Sequence, residues 1–184
     1  MQIDTLDDLE LVKKSISGDN DSFEDIVRKY SSKLFYFAKT FGLNDDESKD
    51  LVQDSLFKAW KNLKKYNNKY PFKTWIYSIT KNTIIDYIRK KKTETFSHLF
   101  SDDEEIDFVD DSPSLVDLIN KNEDSLKVSK AVEKLNDNYR KIILLHYEEE
   151  MTFNEIGQLL EKPINTVKSW HFRAIKELKD LLLH

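Results

Sequence analysis

The chain has 184 residues, room for one medium domain or two small ones; 34% of them are charged and the net charge is −5 at pH 7. With no cysteine there is no disulfide framework and no thiolate metal site, and three glycines, three prolines and no alternating Val/Thr-rich runs point to an all-α protein. Neither a signal peptide nor an apolar run long enough to span a bilayer is present, so a cytoplasmic protein that is not membrane-embedded is expected.

Taken in order, Met1–Asn20 hold Leu6, Leu9, Val12 and Ile16 at helical spacing, which predicts a short amphipathic brace. Asp21 and Glu24 read as a capping box opening a helix to about Phe41, with Phe23, Ile26, Val27, Leu34, Phe35 and Phe37 for a bundle core and Gly42 as its stop. Asn44 with Glu47 caps the next helix, which runs to about Asn62 with Val52, Leu56, Ala59 and Leu63 as its buried stripe. Asp50, Gln53, Asp54, Phe57 and Lys61 share the opposite face. An aromatic ring among carboxylates suits a partner-binding surface, although periodicity alone favours a solvated face with one stray Phe. The string DESKDLVQDSLFKAWKNL resembles the helix with which bacterial sigma factors grip the clamp coiled coil of RNA polymerase. That resemblance implies core-polymerase binding by Asp50, Gln53, Asp54, Phe57 and Trp60, with Leu51 also on a characteristic position.

Leu63–Tyr70 is a polar, basic and aromatic loop, after which Pro71 and Phe72 restart a helix through Lys91. In that helix Phe72, Ile76 and Ile79 face one way and Ile84 and Ile88 another, as in a central bundle helix, while Ser78, Asn82, Ile85 and Arg89 form a mostly polar stripe. Lys90, Lys91 and Lys92 suit the helix dipole and the approach of phosphates. FKTWIYSITKNTIIDYIRKKK resembles the promoter −10 helix of the extracytoplasmic-function (ECF) group of sigma factors through Phe72, Trp75, Asn82, Asp86 and Arg89. By the same resemblance Tyr66 borders a pocket for one flipped base, Asn82 bonds a base edge there, and Lys64, Lys65, Lys69, Arg89 and Lys90 hold phosphates. A loop aromatic simply packed on its domain is the alternative for Tyr66.

Between Thr93 and Ser125 eleven acids face a single lysine, Lys121, whereas Lys61–Lys92 carries ten cations against Asp86 alone. The acidic stretch repels itself and predicts an extended linker; it lacks the calcium-loop pattern with its central Gly. From Val128 the helical pattern returns: Ala131, Val132 and Leu135 precede Asn136, which caps a helix holding Tyr139, Ile142, Ile143, Leu145 and Tyr147. Thr152 with Glu155 makes another capping box, followed by Ile156, Leu159 and Leu160 as a short apolar face. Pro163 opens a last helix whose stripe is Val167, His171, Ala174, Leu178 and Leu181, with Lys168, Ser169, Phe172, Arg173 and Lys176 together on another face. A short helix, a corner and a longer helix with a basic face predict a helix-turn-helix.

EIGQLLEKPINTVKSWHFRAIKEL resembles the C-terminal DNA-reading domain of the same sigma factors. The combined resemblance implies a two-domain transcription initiation factor, not an enzyme and without a cofactor or small-molecule substrate: residues 1–92 bind core polymerase and the −10 element, 93–127 form the acidic linker, and 128–184 read the −35 element. Lys168, Ser169, Phe172 and Arg173 occupy DNA-contacting positions. Trp170 stands where an Arg is common and His171 where an aliphatic is usual, departures that bear on base preference or helix tilt. The implied partners are core RNA polymerase and promoter DNA; an anti-sigma factor is common in the family, and nothing in the sequence identifies one. A stand-alone helix-turn-helix regulator is the alternative, and it leaves Phe72–Lys92 unexplained. A nuclease-like enzyme would need a carboxylate cluster inside a fold or a nucleophile with a base, and His98, His146, His171 and His184 are scattered.

Overall fold

The chain divides into two compact units, Met1–His98 and Leu99–His184. A computed structural model describes residues 7–94 and 125–183, and every regular element among them is helical. Most of the acidic linker, with His98, and also Leu6 and His184, lie outside the described residues, as do the side chains of Lys92 and Glu94.

The first unit is built from α1 (Asp8–Ile16), α2 (Asn20–Lys39), α3 (Asp45–Asn62) and α4 (Phe72–Glu94). The helix expected from Asp21 starts earlier: Asp19 is the cap, accepting from the amides of Asp21 and Ser22, so the Asp21–Glu24 capping box does not form. Asp19 wins because Gly18, at φ 101°, turns the chain sharply just before it. Asn44 and Glu47 do form the expected capping box of α3. Ile26, Leu34, Phe37, Val52, Ala59, Leu63, Ile76 and Ile84 fill the core, and Phe37 meets Tyr77 edge-on at 5.0 Å. Helix α4 packs on α1, α2 and α3, which is why it is apolar on several sides.

The second unit comprises α5 (Ser125–Lys134), α6 (Asp137–Ile143), a wider helical turn over Leu144–Glu148, α7 (Phe153–Leu160) and α8 (Ile164–Leu183). Asn136 caps α6 as expected. The Arg140 guanidinium donates to the carbonyls of Glu133 (2.6 Å) and Leu135 (2.7 Å), satisfying the open end of α5. Thr152 and Glu155 form the expected box on α7. Ala131, Leu135, Ile143, Ala174, Ile175 and Leu178 make the core against which α8 is seated.

Candidate nucleic-acid interface

In the first unit the basic loop follows a single tight turn, Leu63–Lys65, and closes on itself. The Tyr66 hydroxyl donates to the Tyr70 carbonyl at 2.8 Å and lies 2.9 Å from Asn68 Oδ1, while Asn68 adopts φ 58°, a conformation Asn tolerates better than most residues. The Tyr66 ring packs on Phe72 at 5.4 Å and on Trp75 at 5.3 Å. Tyr66 is thus both packed on the domain and set against the start of α4. Lys64, Lys65 and Lys69 are exposed around it, with the Lys69 ammonium 5.5 Å from the Tyr70 ring. Along α4, Trp75, Asn82 and Arg89 recur every seven residues and so share one face, each roughly 10 Å beyond the last. Asn82, Arg89 and Lys90 are exposed, and Arg89 keeps a loose 4.0 Å pairing with Asp86.

Lys91 is differently placed. Its ammonium donates to Glu47 Oε1 at 2.6 Å, and the Tyr87 hydroxyl donates to the same oxygen at 2.7 Å. Glu47 Oε2 accepts from the Asn44 amide as part of the cap. These bonds, from Lys91 first, then Tyr87 and Asn44, hold the Glu47 carboxyl down to about 2. The sequence marks Glu47 as a cap only; its partners 40 and 44 residues away carry no local signal.

In the second unit α8 is buried over a wider arc than one stripe. Val167, Ala174 and Leu178 are buried as expected, His171 and Leu181 are half-buried, and Trp170 and Ile175 are buried in addition. Two neighbouring residues of α8 are more covered than a single stripe predicts. Ser169, expected at a DNA-contacting position, is only 5% exposed, so this short side chain is covered. Trp170, which stands where an Arg is common, is 6% exposed and packs near the α7–α8 corner, with the Lys162 ammonium 5.9 Å from its ring. His171 accepts or donates through Nε2 to the Tyr147 hydroxyl at 2.9 Å and lies against Phe153. The outward face is Asn165, Lys168, Phe172 and Lys176, with Phe172 and its neighbour Arg173 half-buried. Asn165, three and seven residues before Lys168 and Phe172, shares their face. Lys141 is not on this surface: burial brings its ammonium down to about 8.

The α3 face stands out as expected, with Asp50, Gln53 and Asp54 exposed beside Phe57 (52% exposed) and Trp60 (51%). The two rings stack at 6.0 Å, and the Lys61 ammonium sits 4.3 Å from the centre of the Phe57 ring. They border a groove of about 1100 Å³ between α2 and α3, whose other wall is Phe23, Val27, Phe35 and Tyr36. Among the described residues no group of His, Asp or Glu is arranged to hold a metal ion, and no helix is long and apolar enough to cross a membrane.

Comparison with known proteins bears on both units. The family model described as Sigma-70 region 2 matches residues 26–94, and that described as Sigma-70, region 4 matches residues 125–178. The ECF RNA polymerase sigma factor SigW of Bacillus subtilis (strain 168) is 32% identical over 184 residues, covering 92% of this chain and 96% of that protein. The chain belongs to the sigma-70 family, in its ECF group. The RNA polymerase sigma factor SigV of the same organism is 28% identical over 83% of this sigma factor and 86% of its own length. The fold agrees with two solved structures at a TM-score of 0.61 each. One is CnrH in complex with the cytosolic domain of CnrY, 23% identical over 96% of both chains. The other is the sigma factor RpoE in complex with the anti-sigma factor NepR from Bartonella quintana, 24% identical over 88% of this chain and 96% of that one. This sigma factor is therefore a promoter-specific transcription initiation factor, a DNA-binding subunit that works with core RNA polymerase.

Proposed function

We propose that residues 1–92 dock on core polymerase and open the −10 element, that 128–184 read the −35 element, and that the acidic segment 93–127 tethers them. The observation that carries the residue assignment is the single accessible face of Trp75, Asn82 and Arg89 on α4, with Tyr66 packed against its first member. Separating strands without ATP requires the unpaired base to be held as it leaves the stack, against a cost of a few kcal/mol. Stacking on an aromatic recovers about 1–3 kcal/mol per base, and Tyr66 is held in place before any strand arrives, so little ordering remains to be done on binding. Asn82 supplies the base-edge hydrogen bonds, and Lys64, Lys65, Lys69, Arg89 and Lys90 the salt-dependent attraction to phosphates.

At the upstream element, α8 enters the major groove with Lys168, Phe172 and Arg173, joined by Asn165. Arg reads guanine and Asn reads adenine by bidentate bonds, and Phe touches a thymine methyl. Ser169 is set aside because it is covered. On α3, Asp50, Gln53, Asp54, Phe57 and Trp60 meet the polymerase clamp coiled coil. The chain contributes recognition and strand separation in the cytoplasm and no bond-making chemistry. CnrH and the Bartonella RpoE are held with CnrY and an anti-sigma factor, and an anti-sigma partner for this chain is proposed by analogy.

Run-off transcription from a promoter library, by core polymerase with and without the protein, tests this. Transcripts starting at a defined set of promoters only when the protein is added are expected; starts that do not move would overturn it. A stand-alone regulator would instead bind its operator without core enzyme, and would leave the exposed Phe57–Trp60 pair without a use.

A further inference from the structure

Helix α1 lies outside both matched regions, and none of the residues given a role above belongs to it. Its first turn is nevertheless connected to the −10 loop by an unbroken series of contacts. Asp8 is half-buried; its Oδ2 accepts from the Tyr30 hydroxyl at 2.6 Å, and its Oδ1 is ion-paired with Lys29 at 2.8 Å. Tyr30 is 1% exposed and meets the buried Phe72 edge-on at 5.9 Å. Phe72 in turn touches Tyr66 at 5.4 Å and Trp75 at 5.5 Å. The acidic turn also acts directly on the loop: burial pushes the Tyr66 hydroxyl up, and the carboxylates of Asp8 and Asp7 add to it.

A tyrosine enclosed on all sides cannot choose its position freely. Its ring lies where its hydroxyl finds an acceptor, because an unbonded buried hydroxyl is costly and close-packed neighbours move with it. Phe72 is the residue at which the loop re-enters helix, so a shift there is passed to both aromatic rings next to the reading face. We propose that Asp8 is a positioning residue for strand separation: by fixing Tyr30, and through it Phe72, it holds Tyr66 and Trp75 at the edge of the base pocket. This rests on the role given to Tyr66 above. The link carried by geometry is the hydrogen bond from the Tyr30 hydroxyl to the Asp8 oxygen.

The test uses holoenzyme assembled from core polymerase and the full chain, with thymine reactivity toward permanganate in the −10 element as the measure of opening. Duplex promoter is compared with a template already unpaired at that element. Tyr30→Phe and Asp8→Ala should slow opening of the duplex about threefold to tenfold and recover on the unpaired template. Asp8→Asn, which keeps an acceptor oxygen, should open the duplex like the parent protein. Neither loss should add to that of Tyr66→Ala, because the residues act in series. If Tyr66→Ala slows opening while Tyr30→Phe and Asp8→Ala do not, the pocket stands and the role of Asp8 is refuted. If Tyr66→Ala opens normally, the pocket itself fails and the role of Asp8 with it. Equal losses on both templates at equal holoenzyme would make α1 a brace for the fold and nothing more, again refuting the proposal.

Discussion

Single side chains divide the labour between reading and holding. Asn82 stands in solvent on the α4 face, so Asn82→Ala leaves packing intact and tests the proposed base-edge bonds alone. It should cut open complexes about tenfold, read by permanganate reactivity, with little change in closed binding measured by footprinting. Arg173→Ala should cost about 1–3 kcal/mol of discrimination at the upstream element; an unchanged preference there in binding selections would remove Arg173 from the interface. Glu47 belongs to the holding class. Its folded pKa of about 2 lies below the ordinary 4.5, so its bonds to Lys91 and Tyr87 contribute stability that is fully present above about pH 4.5 and is lost as pH falls toward 2. Glu47→Gln should therefore lower the denaturation midpoint of the first unit at pH 7, and the gap from the parent protein should close in acid. A constant gap across that range would show that the ionised carboxylate is not the stabilising form.

At the scale of helices, the corner between α7 and α8 is set by backbone approach. A Cβ on Gly157 would lie 2.9 Å from the Lys162 carbonyl oxygen, which is main chain and cannot swing aside. Gly157→Ala should destabilise the second unit by about 1–3 kcal/mol in thermal unfolding and weaken upstream binding by tilting α8. Helix starts were the most legible part of the sequence: the caps at Asn44, Asn136 and Thr152 form as read, because a cap is decided by residues within one turn. The cap at Asp19 was not, since the Gly18 turn outweighed the Asp21–Glu24 pattern. Burial on α8 was legible only in part. Periodicity finds the side facing the core, and cannot tell that Ser169, on another side, is covered as well. The long-range bonds of Asp8 and Glu47 were invisible for the same reason, their partners being 22 to 44 residues away.

For the molecule as a whole, a net charge of −5 conceals a division of sign: the acids concentrate between the two matched regions, and the cations on the Leu63–Tyr70 loop, the end of α4 and the outer face of α8. The surface proposed for core enzyme is a different one, the stacked Phe57–Trp60 pair, whose exposure is unusual for rings of that size. Replacing both by Ala should weaken core binding at least about tenfold in a competition assay, while holoenzyme that does form keeps its choice of promoters. A change of promoter choice instead would assign the pair to DNA. The fastening of α4 by Glu47 has one more result. The final turns of a helix ordinarily fray, yet here Tyr87 and Lys91 are moored to a carboxylate on another helix. If Arg89 and Lys90 meet promoter DNA as proposed, the backbone that carries them is already fastened, and the entropy of quieting it was lost once, when the chain folded, instead of at every initiation event.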